Sequence, residues 1–123
     1  MARYMLLIYQ DEAALAGASP DDWNRILQAH GRFAQAVAEQ GGKILAGDAL
    51  QPTATATSVR GGADGQMVTD GPFTETKEAL GGFYLIEAAD LDQALAFAKQ
   101  CPALTGGVEL RPVLDTSTPR AGA

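Results

Sequence analysis

The run Arg3-Tyr-Met-Leu-Leu-Ile-Tyr9 is short, almost continuously apolar, and bounded by Gln10-Asp11-Glu12. Such a run suits a central strand covered on both faces, since a strand with one wet face would alternate apolar and polar residues. This limits the options sharply. A chain of 123 residues has room for one core, and the two helices that its pattern supports can cover only one face of a sheet. The other face needs a cover, and a second copy of the chain is the simplest supplier. A homodimer is expected.

The first helix is announced by Ser19-Pro20-Asp21-Asp22, in which Ser19 can cap, Pro20 loses no needed N–H, and two carboxylates meet the positive helix end. Trp23, Ile26, Leu27, His30, Phe33, Ala34, Val37 and Ala38 follow a helical stripe that stops at Gly41-Gly42. Lys43-Ile-Leu-Ala46 reads as a short strand leading to Gly47-Asp48. Thr53 to Arg60 alternates Thr and Ala with period two, which reads as a half-buried strand with a small Ala face in preference to a flexible linker. Gly61-Gly-Ala-Asp-Gly65 reads as a hairpin connection into Gln66-Met-Val-Thr69, and Asp70-Gly71-Pro72 must turn the chain.

Gly81-Gly-Phe-Tyr-Leu-Ile86 resumes as a strand. Asp90-Leu-Asp-Gln93 then starts a helix whose stripe is read as Leu91, Ala94, Leu95, Ala98 and Cys101, ended by Pro102. Val108 to Val113 supplies a last strand, with Pro112 most tolerable on an edge. The order predicts an α+β, ferredoxin-like split βαβ domain with an inserted hairpin over residues 1–114, followed by a tail, 115–123, expected to fray.

Several function classes are poor fits. Fifteen acidic against nine basic residues give a net charge of -6, and the cations are scattered, so direct nucleic-acid binding is not expected. The longest apolar stretches fall far short of the roughly 20 residues of a membrane span, and no basic segment precedes an apolar one at the start. No membrane association is expected, and a cytoplasmic location is. The single cysteine, Cys101, excludes an internal disulfide and a Cys-rich zinc site. One histidine with dispersed carboxylates is no metal signature, and the Gly61–Gly65 segment lacks the Lys-Ser/Thr ending of a phosphate loop. No cofactor or metal is expected.

The segment Val68-Thr-Asp-Gly-Pro-Phe-Thr-Glu-Thr-Lys-Glu78, followed by Leu80-Gly-Gly-Phe-Tyr84, resembles the DGPF branch of the YCII-related proteins. The opening Tyr4 to Tyr9, Gly47 to Leu50 with Gln51-Pro52, and the closing Val108-Glu-Leu-Arg-Pro112 extend the resemblance along the chain. It implies a ferredoxin-like fold forming a dimeric α+β barrel. For the wider group it implies a His and Asp active site, whereas the DGPF branch is mostly of unassigned function, with genes often beside extracytoplasmic-function sigma factors. A sigma factor is thereby suggested as a partner. The group's histidine lies on the first helix eleven residues before a glycine, as His30 lies before Gly41. Asp70 carries the branch's own motif.

His30 lies mid-stripe and should point at the sheet. It is either a core histidine satisfied by a backbone carbonyl or an acid–base group oriented by a carboxylate, for which Asp70 is the candidate. Asp70 reads equally as a turn residue. Thr74 and Lys77 belong to a dense polar run after the motif, which either faces water or binds substrate, with Lys77 holding an anionic group. Asp48 is a turn residue or a further ligand. Tyr4, Tyr9, Trp23 and Phe83 could line an apolar pocket, although such aromatics are usually core.

Two functions follow. One is a small dimeric enzyme, a lyase or isomerase needing no cofactor, in which His30 moves a proton on a small polar or anionic substrate. The other is a non-enzymatic accessory domain that binds a ligand or a protein.

Overall fold

The computed structural model describes residues 1–62, 64–103 and 105–117. Strand β1 (Ala2–Asp11) runs into a short helix α1 (Glu12–Leu15), which is followed by α2 (Pro20–Glu39) and β2 (Lys43–Ala49). A 3-10 turn (Thr53–Thr55) precedes β3 (Thr57–Arg60) and β4 (Met67–Asp70). Strand β5 (Glu78–Ala88), α3 (Leu91–Gln100) and β6 (Gly107–Pro112) complete the order. The main sheet is antiparallel in the order β2-β5-β1-β6, and β3 and β4 form a separate antiparallel pair. This mixed α+β arrangement is compatible with a ferredoxin-like fold.

β1 is central, between β5 and β6, and its two faces differ. Tyr4, Leu6 and Ile8 are buried with Phe33 and Val37 of α2 and Ala94 and Phe97 of α3. Met5 and Leu7 alternate to the opposite face, where they pair with Leu85 and Phe83 and stay half-buried outside that core. Both faces are apolar, as the continuous run implies. Pro112 lies on β6, an edge strand, where a missing N–H breaks no ladder on the open side.

Helix α2 begins as its sequence predicts. Ser19 Oγ accepts the Asp22 N–H at 3.1 Å and the Asp22 carboxylate accepts the Ser19 N–H at 2.9 Å. At the far end the Gly42 N–H reaches Val37 O at 2.9 Å while Gly41 turns at φ 89°, a conformation natural to glycine.

Three local expectations need correction. The Thr53–Arg60 alternation is not one strand, because the Glu12 carboxylate takes both the Thr53 N–H at 2.9 Å and its hydroxyl at 2.7 Å, curling Thr53–Thr55 into a 3-10 turn. Strand pairing starts only at Thr57. In α3 the buried stripe is Ala94, Phe97 and Cys101, whereas Leu91 is 53% and Leu95 44% exposed. Phe97 seats the helix by lying over Gly42, where a Cβ would stand 2.4 Å from its ring. The strand predicted at Lys43 continues to Ala49, since Gly47 and Asp48 keep pairing with β5.

In the expected tail, the Asp115 carboxylate accepts the Ser117 N–H at 2.9 Å. The expected fraying of 118–123, like the Ala63 position of the hairpin connection, lies outside the described residues.

Candidate functional site

Phe33 and Val37 fix α2 on the sheet, and His30, three residues before Phe33, projects toward the same side. There it meets Tyr84 of β5. His30 Nδ1 and Tyr84 Oη are 2.7 Å apart, and the Tyr84 ring also packs on Phe33 with centroids 5.0 Å apart. The approach depends on a bare backbone at Gly47, which pairs with Tyr84 in the sheet, since a Cβ there would lie 2.6 Å from the Tyr84 ring.

Two irregularities shape the surroundings. Gly81 is an extra residue in β5 between the partners of Ile8 and Tyr9, and Leu45 is an extra residue in β2 between those of Ile86 and Leu85. Near the first of these, an open cavity of about 340 Å³ separates α2 from the sheet. Trp23, Ile26 and Leu27 line it from the helix, Leu50 from beyond β2, and Gly81 and Gly82 from β5. His30, Tyr84 and Gln10 bring side-chain polar atoms to its lining. His30 also borders a chamber of about 40 Å³ lined by Gln10, Thr105 and Pro102. That chamber is large enough for water, which needs roughly 10–15 Å³ of such space.

Burial pushes the His30 pKa below its ordinary 6.5, so the imidazole is neutral at pH 7. Burial, followed by the influence of Cys101, raises the Tyr84 phenol above 10.0 and keeps it protonated. The pair therefore has two arrangements. Tyr84 O–H donates to Nδ1 while Nε2 carries the ring proton, or Nδ1–H donates to the phenol oxygen and leaves Nε2 a lone-pair base.

The other candidates lie elsewhere in the single chain. Asp70 is the exposed last residue of β4, paired with Thr57. The DGPF turn is tied to β3: Gly71 N–H donates to Ala56 O at 2.8 Å, Ser58 Oγ donates to Gly71 O at 2.6 Å, and Arg60 stacks on the Phe73 ring at 3.9 Å. Thr74 and Lys77 are exposed between β4 and β5. None of these three lines the His30 cavity. Asp48 borders it, but register places its side chain with Phe83 and Leu7 on the opposite sheet face.

Of the aromatics considered, Trp23 and Phe83 border the cavity, whereas Tyr4 is core. Tyr84 is the site residue that sequence reasoning passed over. Its signal was present, because strand alternation from Ile86 places it on the helix-covered face, but nothing local links it to His30.

Fold and site together define a small α+β domain in which a helix histidine meets a sheet tyrosine beside an open cavity. The chain matches the YCII-related domain over residues 2–117. It is also 38% identical over 113 residues to an uncharacterized protein of Rhizobium meliloti (strain 1021), an alignment covering 89% of this chain and 90% of that protein. The chain belongs to the YCII-related family. Among the described residues, no helix is long and apolar enough to cross a membrane.

Proposed function

We propose that this chain is a homodimeric, cofactor-independent enzyme that moves a proton on a small molecule bound between α2 and the sheet. The observation that carries the reading is the 2.7 Å His30–Tyr84 contact at the wall of an open cavity. In this reading His30 takes a proton from one substrate atom and returns it to another, as an isomerase, or, as a lyase, hands it to the leaving group that departs with its bonding pair as the double bond forms. Tyr84 holds the imidazole in one orientation and supplies or accepts the hydrogen at Nδ1.

The dimer is supported by the second sheet face, where Met5, Leu7, Phe83 and Leu85 stay partly exposed outside the core. Pairing of two such faces would give the barrel that the family resemblance implies. Asp70 and Thr74 keep a role in this reading as groups supplied by the second copy, the Asp70 carboxylate orienting the substrate or the imidazole. The second reading, an accessory domain that binds a protein such as a sigma factor, is favoured by the hairpin, which exposes Val59 by 50%, Val68 by 64% and Phe73 by 58%.

His30 is the sole histidine, so an NMR titration of its ring in wild type, Tyr84→Phe and Asp70→Asn is free of overlap. The expected result is a pKa below that of free imidazole and ring nitrogen signals that change in Tyr84→Phe. A free-imidazole titration indifferent to Tyr84 would remove the acid–base reading. A response to Asp70→Asn in the intact dimer would place Asp70 in the site, and none would remove it.

A further inference from the structure

We propose that the His30 cavity takes an uncharged, largely apolar small molecule of one or two rings, carrying a hydroxyl or carbonyl that meets the His30–Tyr84 pair. The proposal rests on the acid–base reading of that pair and names the class of molecule the site admits.

Size sets the first limit. An apolar cavity of roughly 150 Å³ already holds benzene, so about 340 Å³ has room for a bicyclic ligand. The lining sets the second. Trp23, Ile26, Leu27, Leu50 and Ile8 offer apolar surface on several sides. Among the described residues no lysine or arginine lines the cavity, although Arg25 and Arg32 lie on the same helix and border a separate groove with Asp22. A carboxylate or phosphate entering here would lose water without gaining a cation, and the overall charge of -6 opposes it further. Lys77, the cation offered by the sequence for an anionic substrate, is exposed on the loop before β5 and borders none of this space.

The polar groups set the third limit. His30 is half-buried and in contact with a neutral phenol, and Gln10 adds an amide. The imidazole, the phenol and the amide are all uncharged and can each donate or accept a hydrogen bond, which suits a hydroxyl or carbonyl on the ligand. The planar Trp23 side chain suits a flat molecule, and the Gln10 side chain lies across Gly81, in the space a Cβ there would take.

The test compares 2-naphthol with 2-naphthoate, flat bicyclic probes of similar size that differ in charge at neutral pH. Trp23 is the sole tryptophan, so its indole N–H gives one resolved NMR signal inside the proposed site. The expected result is saturable movement of that signal by 2-naphthol, with 2-naphthoate binding at least about tenfold more weakly. In Leu27→Lys, a substitution at a position 66% exposed on the cavity wall, the preference should shrink or reverse. Equal or tighter binding of 2-naphthoate to wild type, no saturable shift with either probe, or a preference unchanged in Leu27→Lys would overturn the proposal. The probes report binding without turnover, so the acid–base reading stands or falls separately, on the His30 titration in the free protein.

Discussion

The Tyr84 ring lies against Gly47 so closely that a Cβ at position 47 would stand 2.6 Å from Tyr84 Cδ1. Gly47→Ala should therefore push the ring aside, break its contact with His30 and destabilise the domain by roughly 1–3 kcal/mol, the usual penalty for overpacking. A urea melt reads the stability, and the His30 ring signals read the lost contact. Unchanged ring signals would mean that β2, an edge strand, yields instead of the tyrosine.

Acidification should weaken the fold through His30. Its folded pKa lies below 6.5 because burial disfavours the imidazolium, so the unfolded chain binds the proton first as pH falls. This contribution to stability is complete above the unfolded value and is lost as the pH drops through 6.5 toward the folded value. Denaturant melts between about pH 7 and pH 5 should show a steeper loss in wild type than in His30→Gln. Parallel curves would contradict it.

Phe97→Ala should destabilise the protein by about 3–5 kcal/mol, because the ring is fully buried between α3 and the sheet. Leu95→Ala, at a side chain 44% exposed, should cost about 1 kcal/mol or less. The ratio of the two, read by chemical denaturation, checks the assigned stripe.

Glu12→Ala should free the 3-10 turn at Thr53, whose N–H and hydroxyl both end on that carboxylate. Losing charge-assisted hydrogen bonds of this kind costs about 1.5–3 kcal/mol. Amide exchange at Thr53 should accelerate before exchange in β1 does. Equal protection of Thr53 in both proteins would show that Pro52 and the backbone alone hold the turn.

Cys101 should resist alkylation. Its thiol is buried and pushed up to about 12, so the reactive thiolate is scarce at about pH 8. Iodoacetamide should modify the folded protein at least about a hundredfold more slowly than the urea-unfolded chain. Similar rates would mean that the end of α3 opens readily.

Features that depend on near neighbours were set by the amino-acid sequence alone. Ser19-Pro20 and Gly41-Gly42 bound α2 because caps and turns involve groups a few residues apart, and the unbroken apolar run of β1 required a central position whatever its partners. His30 was legible as a candidate because it is the single imidazole on an apolar stripe. The membership of the α3 stripe was only half legible, since periodicity from Ala94 admits either Leu95 or Phe97 beside it, and the seat over Gly42 buries Phe97 and leaves Leu95 exposed. The company His30 keeps was settled by tertiary contacts and nothing else. Its partner is Tyr84, 54 positions away, brought into reach by strand register, by the extra residues Leu45 and Gly81, and by the bare backbone at Gly47. Register of that kind is a property of paired strands, and a shift of one residue would have turned the tyrosine to the other face of the sheet.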